Sequence, residues 1–384
     1  MSRTVTTLFA VLMLLTAGAT PVAAATGGTA ATGSTQANCS FPATYTDATG
    51  TEVTIEERPE RVTTLGPSAA QTMWEIGGES QVVGLTQFAT YLDGADSRTN
   101  VSGEGESQIS VETVVSTESD LVLAPNIITN ETVQQLRDAG LTVYKFDFAT
   151  SIDDIYAKTE RAGELTGNCE GANETVSWMQ NEVETVREAV ENSDSPRVFV
   201  SQGGGWTAGP ATFMGQMVEL AGGENIAAEA NISTYGQISE EVIVEQDPEW
   251  IVQVGQFGVV PQTEAYNNTH AVQNDQIVTV SSENLSQPAP RVVNALVTMA
   301  QAFHPDAYAE ANATTTEQTE TTEAMSDTET TTDLTTETTT TEGAMEEATT
   351  TTEAGSDASE GIPGFGVPAA VAALAGAVLL ARRR

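Results

Sequence analysis

Lysine is almost missing from this chain: Lys145 and Lys158 are the only two in 384 residues, and with arginine they make 14 cations against 54 carboxylates. A formal charge of -40 leaves no basic stripe to neutralise a phosphate backbone, which excludes nucleic acid as a partner. Histidine occurs only at His270 and His304, far apart and without Cys or His at ligand spacing, so no zinc site is expected. No Gly-x-Ser-x-Gly elbow is present and no histidine is placed as base for a triad. Carboxylate pairs suited to glycoside hydrolysis arise everywhere by chance in so acidic a chain and carry no signal. An enzyme is therefore not expected, nor a metal or cofactor. The acid is spread over the whole length, as in salt-adapted proteins: in molar salt the Debye length falls to about 3 Å, and the carboxylates serve to hold water.

Both ends differ from folded protein. Residues 1–25 carry one early arginine, an apolar run from Leu8 to Leu15 and small residues at Ala23, Ala24 and Ala25, a secretory signal peptide. No twin arginine precedes the run, and the first cysteine, in "QANCS", lacks the small apolar residues that precede a lipid-modified cysteine. In an exported chain an even pair of cysteines, Cys39 and Cys169, is expected to form one disulfide, stapling an N-terminal arm (residues 26–51) to the middle of the chain. Sequons occur at Asn100, Asn130, Asn173, Asn231, Asn267 and Asn284; in a chain this rich in Ser and Thr several arise by chance, and the rest are candidate sites for glycosylation.

Residues 311–360 are mostly Thr, Glu and Ala and cannot bury enough surface to offset ordering entropy, so they are expected to be a disordered stalk. Residues 361–384 include "PGFGVPAAVAALAGAVLLA" and end in three arginines, a short apolar helix with a cytoplasmic basic end. The chain would then sit on the outer face of the cell membrane, tethered by its C-terminus. This end resembles the sorting tail of haloarchaeal surface proteins, with "PGF" at Pro363 to Phe365, whose helix is trimmed and replaced by a lipid.

Between the ends the chain repeats itself. "QISVETVVSTESDLVL" (Gln108 to Leu123) and "QISEEVIVEQDPEWIV" (Gln237 to Val252) align without a gap. Upstream, "RVTTLGPS" and "RVFVSQGGGW" each read as a strand and a tight turn, followed by "AAQTMWEIGGE" and "TFMGQMVELAGGENI", helices stopped by paired glycines. In the repeats, Ser110 and Ser239 are natural N-caps, and each ends in a buried-looking strand. Strand, helix, strand requires a parallel sheet with crossover helices, so residues 52–150 and 194–310 are two α/β lobes. Residues 151–193, broken only at "LTGNCEGAN", form a joining helix with Trp178, Met179, Val183, Val186 and Val190 on one face.

From about Val53 to Ala309 the order of these segments, with "LAGGENIA" and "APRVVNAL", resembles the substrate-binding proteins of ABC importers for cobalamin, haem and iron-siderophores. The resemblance implies two Rossmann-like α/β lobes with parallel sheets joined by one long helix, the class III binding-protein architecture, and a monomer. It also implies that one glutamate per lobe, here Glu112 and Glu241, docks onto arginines of a homodimeric permease with its ATPase; Glu240 competes for the second role. By itself a first-turn glutamate complements the helix dipole, worth roughly 0.3 to 1 kcal/mol. Its repetition in both halves is what suits a two-fold partner.

Ligand contacts in such folds come from loops after the strands. Pro67 and Ser68, Phe88 and Tyr91, Trp206, Tyr235 and Arg291 are the candidates. Aromatics are only 5% of residues, and those at the lobe mouths suit a large, flat, partly apolar ligand such as a corrin. Resemblance to cobalamin binders puts Phe88, Trp206 and Tyr235 near ring-contacting positions, although "SGEGES" stands where those proteins often carry a tryptophan. Few cations occur in the cleft loops, which favours cobalamin as transported ligand over a ferric siderophore or haem. The other class of function, a structural or adhesive surface protein, shares the stalk and anchor but not the duplicated α/β lobe.

Overall fold

The computed structural model describes residues 39–103 and 109–326, with side chains to residue 315. The signal peptide, the stalk beyond residue 326 and the anchor lie outside the described residues. Among those described, no helix is long and apolar enough to cross a membrane.

Lobe 1 opens with an antiparallel hairpin, β1 (Ala43–Thr46) and β2 (Glu52–Ile55). A parallel sheet follows: β3 (Val62–Thr64), β4 (Val82–Leu85), β5 (Thr99–Asn100), β6 (Leu121–Ala124) and β7 (Val143–Lys145), in spatial order β5-β4-β3-β6-β7. Its helices are α1 (Pro67–Glu75), α2 (Val111–Ser116) and α3 (Asn130–Asp138). All four residues of β6 are fully buried, as a strand covered on both faces by crossover helices requires.

The joining region is two helices, α4 (Ile152–Thr166) and α5 (Cys169–Val190), separated within the "LTGNCEGAN" break. Gly167 at the end of α4 takes φ 75°, a left-handed C-cap, and the chain reverses so that α4 lies against α5. Each helix reaches both cores. Ala162, Leu165 and Ala172 pack into lobe 1, whereas Ile152, Ile155, Met179, Val183 and Val186 pack into lobe 2. At 22 residues α5 spans about 33 Å.

Lobe 2 repeats lobe 1. Its strands are β8 (Arg197–Ser201), β9 (Trp206–Ala208), β10 (Glu224–Asn225), β11 (Tyr235–Gln237), β12 (Trp250–Val254) and β13 (Ile277–Val280). Four form a parallel sheet ordered β10-β8-β12-β13, matching β4-β3-β6-β7, while β9 and β11 form a separate antiparallel pair. The helices are α6 (Phe213–Leu220), α7 (Glu240–Gln246), three single turns, α8 (Glu264–Asn267), α9 (His270–Gln273) and α10 (Ser282–Leu285), and then α11 (Val292–Phe303) and α12 (Pro305–Ser326). The paired glycines end α1 and α6 alike. Gly78 donates to the Met73 carbonyl (2.7 Å) and Gly223 to that of Val218 (3.0 Å), with Gly77 and Gly222 at positive φ.

Two boundaries move. Residues 43–51, placed in the arm by sequence, belong to lobe 1: buried Asp47 pairs with Arg137 and accepts the Lys145 amide (3.1 Å), tying the β1–β2 turn to the sheet. Burial pushes the Asp47 carboxyl up, but hydrogen bonds from Thr49, Lys145 and Arg137 outweigh it and hold the group below the usual range. At the other end α12 is helical to Ser326, so the segment expected to be stalk from residue 311 begins as helix; its first turns are held by Tyr308 and Ala311, buried in the lobe 2 core, and by the Thr185 and Thr315 hydroxyls, which meet at 3.2 Å. Cys39 and Cys169 form a disulfide with alpha carbons 5.7 Å apart, fastening the start of the hairpin to the first turn of α5.

Candidate functional site

The repeated segments fold into the same device twice. The Ser110 hydroxyl accepts the Thr113 amide at 3.2 Å, and the Ser239 hydroxyl accepts the Val242 amide at 3.4 Å, so α2 and α7 are capped at equivalent residues. Val114 and Ile243 anchor them with no exposed surface. Both segments leave the helix through a left-handed residue, Glu118 (φ 49°) and Asp247 (φ 39°).

An arginine from the first strand region of each lobe clamps that exit. Arg61 donates from Nε to the Glu118 carbonyl (3.0 Å) and from a terminal nitrogen to the Thr117 carbonyl. Arg197 donates from Nε to the Gln246 carbonyl (3.0 Å) and from a terminal nitrogen to the Asp247 carbonyl (3.1 Å). The backbone amides of the two arginines are in turn accepted by carboxylates at matching places, Asp120 (2.9 Å) and Glu249 (3.0 Å). Two of the few cations in the chain thus satisfy helix C-terminal carbonyls that would otherwise lack donors.

Glu112 and Glu241 stand exposed in the first turns, and neither enters an ion pair among the described residues. A helix feeding a parallel strand runs antiparallel to it, so both glutamates lie toward the carboxyl edges of their sheets. Glu240 occupies the place of Val111 in lobe 1 and lies near Tyr266, whose phenol is pushed up by burial and by the Glu240 charge. Glu241 is therefore the counterpart of Glu112.

The lobes meet along a polar seam at the same edges. Gln71, fully buried on α1, donates from Nε2 to the Tyr91 hydroxyl (2.9 Å) and the Glu283 carbonyl (3.1 Å), and accepts the Arg291 amide (3.0 Å). Tyr91 donates to Gln287 (3.3 Å), and Arg291 pairs with Glu75 at 2.7 Å. Lys158, on α4, donates to the Pro288 carbonyl (3.1 Å) and the Ser68 hydroxyl (3.4 Å), and lies over the Phe146 ring. With no carboxylate partner among the described residues, it is pushed down to about 8 by burial.

Of the ligand candidates, the structure engages Ser68, Tyr91 and Arg291 in this seam, with Pro67 half-buried at the start of α1. Phe88, Trp206 and Tyr235 are exposed at 46, 47 and 54%, after β4, at the start of β9 and on β11. The β9–β11 pairing sets Trp206 opposite Gln237 and Tyr235 opposite Ala208. Three consecutive glycines at positive φ shape the turn before Trp206; at Gly203 a Cβ would stand 2.0 Å from the Phe257 carbonyl, so backbone packing alone demands glycine there.

Sequence reasoning missed two aromatics that are more exposed still, Phe148 (67%) after β7 and Phe257 (76%) after β12, together with Ile127 (70%) after β6. Their signal was position: each follows a buried strand within three residues. Every apolar side chain in this group lies toward a sheet's carboxyl edge or on the β9–β11 pair. A cavity of about 310 Å³ opens after β7, lined by Tyr144, Phe146, Phe148 and Lys158, while two others, of about 530 and 510 Å³, lie at the amino edges, bordered by residues just before β8, β12 and β13 in lobe 2 and before β3, β6 and β7 in lobe 1. Parallel sheets take ligands at the opposite edge.

Residues 62–283 match the family model described as periplasmic binding protein, and residues 362–384 match the PGF-CTERM motif, which marks an exported cell-surface protein anchored by its C-terminus. A relative from Halobacterium salinarum, named cobalamin-binding protein, is 48% identical over 90% of this chain and 89% of its own length. The fold is similar to that of a periplasmic vitamin B12 binding protein of Vibrio cholerae (TM-score 0.56, 21% identity, 64% of this chain and 97% of that one). It is likewise similar to a periplasmic heme-binding protein from Roseiflexus in apo form (TM-score 0.57, 23% identity, 65% of this chain and 99% of that one).

Proposed function

We propose that this chain, which belongs to the periplasmic binding protein family, captures a corrinoid of the cobalamin class between its lobes and delivers it to an ABC importer. The observation that carries the proposal is the set of exposed aromatics at the carboxyl edges, contributed by both lobes. A corrin is broad, flat and largely apolar on its faces, and Trp206, Phe88 and Phe257 offer faces of the same kind at low entropic cost. The name of the 48% identical relative supports the same ligand.

Charge argues against an anionic cargo. The two cations of the seam are committed, Arg291 to Glu75 and Lys158 to Pro288 and Ser68, so neither stands ready for a haem propionate or a siderophore carboxylate. The exposed Tyr235 phenol is the group that favours the second reading, a ferric chelate or haem, since phenolate binds ferric iron. Delivery would use Glu112 and Glu241 as paired anions toward arginines of a homodimeric permease. The seam and the doubled α4–α5 connection favour little hinge motion, and the protein is expected to act as a monomer.

Calorimetric titration in molar salt tests the ligand. Cobalamin is expected to bind, with Trp206→Ala weakening it about thirtyfold, on the order of 2 kcal/mol. Failure to bind cobalamin, with tight binding of haem or a ferric chelate, would transfer the role to the second reading.

A further inference from the structure

We propose that each lobe docks through two side chains, a carboxylate and a valine one helical turn beyond it: Glu112 with Val115, and Glu241 with Val244. The proposal rests on the docking role given to the glutamates above and names the part of that surface which charge does not supply.

Residues three apart on a helix share a face. Val115 is 38% exposed on α2 and Val244 is 51% exposed on α7, at equivalent places in the repeat. A lone exposed valine would mean nothing. Here, however, the described residues hold ten exposed large hydrophobics. Seven are in the carboxyl-edge loops or the β9–β11 pair, and Ile277 opens β13; the remaining two are these valines. Folding does not call for them, because the inner face of each helix is already filled by Val114 or Ile243. The duplicated arginine clamps hold both helices by their C-terminal carbonyls, which leaves the glutamate and valine face outward in each lobe.

The occupant is a two-fold membrane permease presenting, in each half, a cation beside an apolar socket. Salt explains the combination. At molar ionic strength a Debye length of about 3 Å weakens attraction between exposed charges, whereas burial of apolar surface is not screened. A second copy of this chain suits the face poorly, since it offers no cation and would bury carboxylates without a partner, a desolvation cost that salt does not remove.

The test measures affinity for the homodimeric cobalamin permease of the same organism, purified in lipid nanodiscs, across the molar salt range in which the binding protein stays folded. Val115→Thr with Val244→Thr is expected to weaken association about tenfold at every salt concentration. Cobalamin affinity and melting temperature should stay unchanged. Glu112→Gln with Glu241→Gln is expected to weaken it by a factor that shrinks as salt rises. Wild-type affinity in the valine variant, or a loss matched by falling melting temperature or cobalamin affinity, overturns the valine role while leaving the glutamates in place. Wild-type affinity in the glutamate variant removes the docking reading itself.

Discussion

Cobalamin uptake is expected to vanish when Glu112 and Glu241 are both replaced by lysine, while the affinity of the isolated protein for cobalamin stays as it was. Both side chains are exposed and outside every ion pair found among the described residues, so the substitutions break no intramolecular bond. What they remove from the fold is the complement to two helix dipoles, roughly 0.3 to 1 kcal/mol each. Toward a permease the change is far larger, because an attractive charge-assisted contact becomes a like-charge one at two places simultaneously. Each single reversal should leave partial transport, since the other lobe still engages. The measurement is accumulation of labelled cobalamin by cells carrying each variant; normal accumulation in the double variant defeats the docking role.

Dilution from molar salt into low-ionic-strength buffer is expected to unfold the protein cooperatively. Five ion pairs occur among the described residues, and two of them, Arg161–Glu164 and Arg187–Glu184, are local helical pairs. Most carboxylates among the described residues therefore depend on dissolved cations for neutralisation. As the Debye length grows from about 3 Å at 1 M to about 30 Å at 0.01 M, repulsion extends over the whole molecule. Net stabilities of domains are only about 5 to 15 kcal/mol, within reach of such repulsion. Far-ultraviolet circular dichroism during dialysis reads the outcome, and a native spectrum in dilute buffer would show that the acid is not a salt adaptation.

Local signals in the sequence were legible because their physics is local. Serine caps before α2 and α7, paired glycines after α1 and α6, and the apolar runs that open β6 and β12 each act within a few residues, and the repeat doubled every one of them. The reversal at Gly167 was harder to see, since a glycine ending a helix does not state where the next helix turns. Least legible was the seam. Gln71 meets Arg291 across 220 residues and Lys158 meets Pro288 across 130, and nothing about a glutamine on a helix marks it as the joint between two lobes. The same distance hid the arginine clamps: Arg61 and Arg197 read as ordinary strand openings until the carbonyls they hold, 56 and 49 residues on, came into place. Arg291 shows the cost of judging a cation by its neighbours in sequence, for its partner Glu75 lies in the other lobe.

The most direct test of a cargo site between the lobes is the position of cobalt, located by its anomalous scattering in crystals grown with cobalamin. The peak is expected between the carboxyl edges of the two sheets, within a corrin's reach of Trp206 and Phe88. A peak instead in the amino-edge cavity bordered by Asn192, Trp250 and His304 would contradict the account.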